Sequence, residues 1–397
     1  MQTESLKNKS NICLELIVVL ALFVLGALIR IRFFDGISAD TRSFIMWFDY
    51  VRSVGNLSAI GSFIGDYNVP YVAVLFLASF LPFETLTSVK ILAAVFDLLG
   101  IVCGFIFARG IALETGEGTK EARYLGELGA ALIWLSPIVI GNSAFQGQLE
   151  ALWTFTGFLA LYFAAKKHPV IAMIFFGISF AMKPQGIFFL PALVLIIYQT
   201  GKFSVLYFLI IPVVIQILCI PSMIAGNSFF FFWEHFFSMT GLCPYLYYYY
   251  PNVWIWMRNL PYYAFGKVGI GIMLSVFVIY TVRFVKDCRD RTWTLSMFLE
   301  LSLWALMTCP MFLPAMHERY NYPAECFLPV LAIFNRRYRI PAAILVVSGF
   351  LCNAFAYYGW GYYQYYGLSA LNIIVYIYLT LGVIGMFKDN TEKGGQS

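Results

Sequence analysis

The chain has 397 residues, 61% of them hydrophobic and only 12% charged, with a mean hydropathy of +0.77. Apolar segments recur from Ile12 to Met386, which excludes a soluble domain and places the chain among polytopic helical membrane proteins. These runs are too long and uniform for the alternating strands of an outer-membrane barrel, and the net charge of +5 is too scattered to signal nucleic acid.

The first apolar stretch, Asn11–Leu28, could pass for a signal peptide. Ala27–Arg32 lacks a small-residue cleavage site, so it reads as a retained first span. Residues 35–68 form the first loop beyond it. From Thr41 onward, Phe44, Trp47, Phe48 and Val51 fall on one helical face, with Arg42, Asp49 and Arg52 opposite. That pattern predicts an amphipathic helix lying in the membrane interface. Asp40 precedes it, either as an N-cap or as a carboxylate able to take a proton from a substrate hydroxyl.

Asp66 stands beside Tyr67 and Pro70, where it serves equally as a turn residue or as a ligand. Val69–Leu81 is short, ends at Pro82 and is expected to be re-entrant or to hug the interface. Asp97, inside an apolar span, needs a partner such as Lys90 or a neighbouring helix, and packing is its expected role.

The turn Asn142–Glu150 joins two spans with amides and a carboxylate. Gly147 permits close backbone approach, and Gln148 can donate and accept hydrogen bonds as a sugar requires, although ordinary loop polarity explains it as well. Lys183 lies between two short apolar segments, with Pro184 breaking the helix after it. Such a lysine either snorkels to the surface or meets a phosphate as a point charge. Residues 226–261 form an aromatic-rich loop. Its Cys243–Trp256 stretch suits a membrane-boundary belt or a platform for stacking sugars.

Met311–Tyr322 closes an apolar run with His317, Glu318, Arg319 and Tyr320 in a row. Arg319 and Tyr320 could be interfacial anchors, but His317 and Glu318 fit that role poorly. Ionisable groups at membrane depth generally face a cavity, which makes this cluster a candidate site.

Most of the 26 basic residues fall in short loops such as Arg109 to Arg123, Lys166–Lys167, Arg283 to Arg291 and Arg336 to Arg339. Taking these as cytoplasmic gives about twelve crossings with both termini inside, and gathers the candidate segments on the outer face. The eight cysteines show no CxxC pair and read as small packing residues, and the three histidines show no HxxxH spacing for a metal. Residues 1–397 read as one domain.

The ordered set of short motifs resembles the GT-C superfamily of integral-membrane glycosyltransferases, in particular a bacterial branch related to GPI mannosyltransferases. The set comprises Asp40 to Trp47, Asp66–Tyr71, Lys90 with Asp97, Asn142–Glu150, Lys183–Pro191, Pro251–Trp254 and His317–Pro323. It departs from the pattern at Gln146, where the family often has Trp, and at Glu150, where it has Asp. It departs again in DYNVPY at 66–71.

The resemblance implies an all-α GT-C-like fold in a bacterial plasma membrane. It also implies inverting transfer of a sugar from a polyprenyl phosphate to a hydroxyl of a glycan, lipid or protein on the extracytoplasmic face. Asp40 would be the general base, with Arg319, His317 and Lys183 binding the donor phosphate. Gln148, Glu150, Gln185, Asp66, Glu318, Tyr320, Asn252 and Trp254 would bind sugar or acceptor. Some members use Mg or Mn; without a dense carboxylate cluster, metal-independent transfer is the expectation here. A lipid-sugar flippase would place polar groups on paired broken helices in two related halves, and no internal repeat is visible. A polysaccharide polymerase or ligase, or a purely structural membrane subunit, are the other readings.

Overall fold

The computed structural model describes residues 2–388 apart from 63, 64, 66, 240–242, 289, 290 and 360. Every regular element among the described residues is helical. Six helices are long and apolar enough to cross a membrane, and a seventh span is a bent pair, Thr119–Trp134 with Pro137–Phe145, turned by 41° at Pro137. The chain is an integral, polytopic membrane protein. The rest of the expected dozen crossings appear as shorter apolar helices such as Glu150–Ala165, Pro169–Met182 and Tyr322–Phe334. These lie in the middle of the bundle around the mostly buried Leu295–Phe312 helix, where protein rather than lipid covers them.

Long helices around this core carry their apolar residues outward. Cys13–Arg32 and Tyr262–Asp287 are largely exposed, as lipid-facing spans should be. Where two helices must approach closely, glycine allows it. A Cβ on Gly104 would stand 2.5 Å from the Gly129 carbonyl, so only bare backbone lets Thr85–Glu114 cross Thr119–Trp134 there.

Ala39–Val54 is the expected amphipathic helix, with Phe44, Phe48 and Val51 buried. Its apolar face packs on protein, in a cluster with Tyr71, Val72 and Leu75, rather than on lipid. Ser38 is its N-cap. The Ser38 hydroxyl accepts from Thr41 N and the Thr41 hydroxyl accepts from Ser38 N, each at 3.1 Å. The capping alternative for Asp40 is thereby corrected: Asp40 sits in the first turn and its carboxylate is free for other contacts. Arg52 also departs from a purely solvent-facing role, donating to the carbonyls of Leu81 and Phe83 at 2.9 Å each.

Val69–Ala78 has 10 residues. At 1.5 Å per residue it spans about 15 Å, half a bilayer, and it packs inside the protein, consistent with a piece that does not cross.

Asp97 finds its partner in the first helix, not in Lys90. Arg30 Nε donates to Asp97 Oδ2 at 2.8 Å and Ser143 Oγ donates to the same oxygen at 2.6 Å. Arg30 also lies 3.6 Å over the Trp134 ring. Lys90 donates instead to the Phe145 carbonyl. Both contacts hold the 141–148 turn, the first from the Asp97 side and the second from the Lys90 side. Of the eight cysteines, six are buried, and all are free thiols.

Candidate active site

The first-loop helix and the HERY segment, far apart in sequence, meet at one end of the bundle. Several local features force the meeting. Pro310 and Leu313 end the buried helix, Ala315 takes a left-handed φ of 57°, and the chain turns back over the bundle end. Backbone bonds then zip this turn to the aromatic loop: Ala315 N to Leu246 O at 3.1 Å and Tyr250 N to Met316 O at 3.0 Å.

Arg319 is the centre of the arrangement. Nη2 is 3.0 Å from Asp40 Oδ2, Nη1 is 2.5 Å from Glu318 Oε1, and Nε is 3.3 Å from Glu150 Oε1. Lys183 pairs with the same Glu150 oxygen, while the Trp153 indole donates to Glu150 Oε2 at 2.5 Å. Glu150 is fully buried, so these partners are what make its charge tolerable. His317 Nδ1 stands 3.7 Å from Glu318 Oε2. Three carboxylates thus share two basic side chains, Arg319 and Lys183, with His317 as a third basic group at the edge.

Burial would raise the Glu318 carboxyl, but Arg319 and His317 beside it hold it well below the ordinary glutamate range. Burial likewise works against the Arg319 charge, and Glu318, Asp40 and Glu150 outweigh it, keeping the guanidinium firmly protonated. Burial pulls the Lys183 ammonium below its usual range, with Glu150 opposing.

Asp40 differs from the other two carboxylates in access. Its side chain is 42% exposed, against 0% for Glu150 and 8% for Glu318. It faces a cavity of about 450 Å³ lined also by Lys183, Gln185, His317, Arg319 and Tyr320. Aromatic rings supply much of the remaining wall, including Trp47, Tyr67 and Tyr248. The Lys183 ammonium lies between the Tyr67 and Tyr320 rings, 5.3 and 5.4 Å from their centres.

Gln148, read in the sequence as an amide able to donate and accept, does both within the protein. It is buried, donating from Nε2 to Asp40 Oδ2 at 2.5 Å and accepting on Oε1 from the Tyr67 hydroxyl at 2.8 Å. Gly147, at φ +71°, makes the turn that delivers it; a Cβ there would stand 3.0 Å from Val89. Tyr67, whose hydroxyl fixes this amide, was not among the sequence candidates. Its signal was its place beside Asp66 in the DYNVPY element. His235 was missed too: its Nε2 lies 2.8 Å from the Tyr67 carbonyl.

Asn252 and Trp254 do not line the cavity. Asn252 caps the short helix Val253–Met257 and donates to Pro310 O at 2.8 Å, and the Trp254 indole donates to Phe312 O at 2.7 Å. They anchor the aromatic loop to the end of the buried helix. Within that loop Tyr247 and Tyr250 are buried and Tyr245 is exposed; Tyr248 contributes to the cavity wall, 4.6 Å from the His317 ring. Asp66 lies outside the described residues.

Among the described residues, no group of three or more His, Cys, Asp and Glu side chains is gathered around a point that would hold a metal ion. The carboxylates here converge on Arg319 instead.

Residues 66–256 match the family model for GPI transamidase subunit PIG-U, a little under half of the 397 residues. The matched stretch carries Tyr67, Gln148, Glu150, Lys183 and Gln185. Asp40 precedes it and the HERY segment follows it. A comparison with curated proteins gave no match.

Proposed function

We propose that this protein is an inverting glycosyltransferase that moves a sugar from a polyprenyl-phosphate donor to an acceptor hydroxyl at the extracytoplasmic face. The observation that supports it best is the sharing of one cavity by Asp40, the accessible carboxylate among the described lining residues, and three basic groups, Lys183, His317 and Arg319.

The reaction uses them in turn. The acceptor O–H gives its proton to Asp40 as its oxygen bonds to the anomeric carbon from the face opposite the phosphate. The bond from that carbon to the phosphate oxygen breaks, and the electron pair leaves with the lipid phosphate. Arg319, with its planar fork, takes two oxygens of the leaving group, and Lys183 and His317 add hydrogen-bond donors. Arg319 Nη2 also contacts Asp40 Oδ2. A phosphate that draws the guanidinium toward itself weakens that contact, while Gln148 Nε2 still donates to the same oxygen and keeps the carboxylate in place. Arg319 with Lys183 and His317 supplies positive charge and donors for the departing phosphate.

The test is turnover by the purified full-length protein in liposomes with polyprenyl-phosphate mannose or glucose, scored by released polyprenyl phosphate. Asp40→Asn should lower the rate by about 10²–10⁴ while leaving donor binding intact. Undiminished turnover would remove Asp40 as the base.

A second reading is favoured by the match to the GPI transamidase subunit family: a membrane subunit whose cavity holds a glycolipid for chemistry done by another chain. It predicts saturable binding of the same donors with no turnover in either the parent or the Asp40→Asn protein.

A further inference from the structure

A second cavity, of about 370 Å³, lies on the other side of the 141–148 turn from Asp40. Its walls come from the first helix, the bent pair and the Arg339–Tyr358 helix, and include Ile29, Phe33, Ile138 and Phe350. Phe145 packs edge-on against Tyr357 at 4.5 Å and against Phe33 at 6.4 Å. The flanking residues Leu28, Ile31 and Tyr358 are exposed, so this groove borders the bilayer.

Its lining contains no charged side chain, yet it contains three amides: Asn142, Gln146 and Asn353. Gln146 Nε2 donates to Asn353 Oδ1 at 3.2 Å, and Asn353 Nδ2 donates to Gly349 O at 2.8 Å. That leaves Gln146 Oε1 and both polar atoms of the Asn142 side chain without a hydrogen-bond partner among the described residues. Both side chains are more than nine-tenths buried. Unmade hydrogen bonds of this kind are unfavourable in a membrane, where water does not satisfy them. Asn142 sits on the π-helical stretch Gly141–Phe145, a wide turn of a kind that recurs at functional sites, and Gln146 follows directly after it. Gln146 is also the position where the glycosyltransferase-like motif departs from its pattern, and the site at Asp40 makes no use of its side chain.

From these observations we infer that the groove is a binding site for an uncharged glycerolipid of the diacylglycerol class, with an acyl chain along the aromatic wall and the glycerol hydroxyl and ester against Asn142 and Gln146. The unfilled capacity is two acceptor oxygens and one amide donor. A free hydroxyl answers an acceptor and an ester carbonyl answers the donor. A phosphate head finds no counter-charge there and would be left desolvated. The inference does not depend on glycosyl transfer, since its test reads binding alone.

The test uses purified full-length protein in phosphatidylcholine nanodiscs with photoreactive, clickable diacylglycerol, and the matching phosphatidic acid probe as comparison. The diacylglycerol probe should label peptides carrying Phe33, Phe145 or Tyr357 saturably, and unlabelled diacylglycerol should compete. Asn142→Leu should lower labelling about 3- to 10-fold, the loss of one to two hydrogen bonds. Ala354→Trp, which fills the groove from the facing helix, should lower it as well and serves if Asn142→Leu does not fold. Equal labelling by phosphatidic acid, or labelling indifferent to both variants, would mean ordinary bilayer lipid only and overturn the assignment.

Discussion

Arg319 Nη2 stands 3.0 Å from Asp40 Oδ2, bringing a residue late in the chain onto the carboxylate that, among the described site residues, faces open space. Its other nitrogens reach Glu318 and Glu150, so one guanidinium joins the first loop, the 142–150 turn and the HERY segment. The arrangement is symmetrical in charge only up to a point: Glu150 and Glu318 are buried and fixed, whereas the contact with Asp40 is exchangeable.

Arginine at 319 should not be replaceable by lysine. Lys supplies the charge but not the fork that holds several carboxylates, or two phosphate oxygens, at once. Arg319→Lys is expected to weaken turnover about 10²-fold, nearly as much as Arg319→Ala. Measured kinetics of the two variants decide it, and near-parent activity of the lysine form would show that charge alone suffices.

Tyr67 is expected to act on Asp40 through Gln148. Its hydroxyl donates to the amide oxygen while the amide nitrogen donates to the carboxylate. In Tyr67→Phe the amide loses its anchor at the oxygen end and holds Asp40 less firmly, so kcat should fall roughly tenfold with KM little changed. Combined with Gln148→Ala the losses should not add, because both variants break the same chain. Additive losses would place Tyr67 outside it.

Much of this site was visible in the sequence, and the reason is local. Lys183 before Pro184 and the HERY cluster interrupt apolar runs, and such interruptions signal themselves. The amphipathic face of Ala39–Val54 followed from helical spacing. What the sequence could not convey was pairing across helices. Arg30 looked like the basic flank of a first span, and only the packed bundle reveals it against Asp97 and Trp134. Asn252 and Trp254 carried a motif, yet their side chains close a loop onto the Pro310 and Phe312 carbonyls left free by the helix end. Tyr67 lay in a motif through its neighbour Asp66, but only the fold puts its hydroxyl on Gln148.

The ion pair at Glu318 should give stability a defined acid limit. Its carboxyl is held well below the ordinary glutamate value near about 4.3. A depressed acid stabilises the fold fully above that value and loses its contribution as pH falls toward the folded-state value. The melting temperature of Glu318→Gln should therefore lie below the parent's by a constant margin from pH 6 to 8, about the neutral range. The margin should narrow in acid. A margin that widened as pH fell would contradict the assigned direction.

Gly104→Val should destabilise without touching the site. The new side chain would enter space occupied by the Gly129 carbonyl, and overpacking of this kind costs about 1–3 kcal/mol. Thermal unfolding of the variant should be shifted down, with KM unchanged in the fraction that remains folded. An unchanged melting temperature would mean the two helices separate freely at that crossing.

The Arg30 contact bears on how the protein is made. Arg30 emerges from the ribosome 67 positions ahead of the Asp97 carboxylate that neutralises it. An arginine at the centre of a span costs about 2.5–3.5 kcal/mol on insertion scales, but Arg30 lies in the last turn of its helix, within snorkelling reach of the interface. The first span can therefore enter the bilayer before its partner exists. Its Arg30 end locks against the bundle only once the Thr85–Glu114 segment has been made.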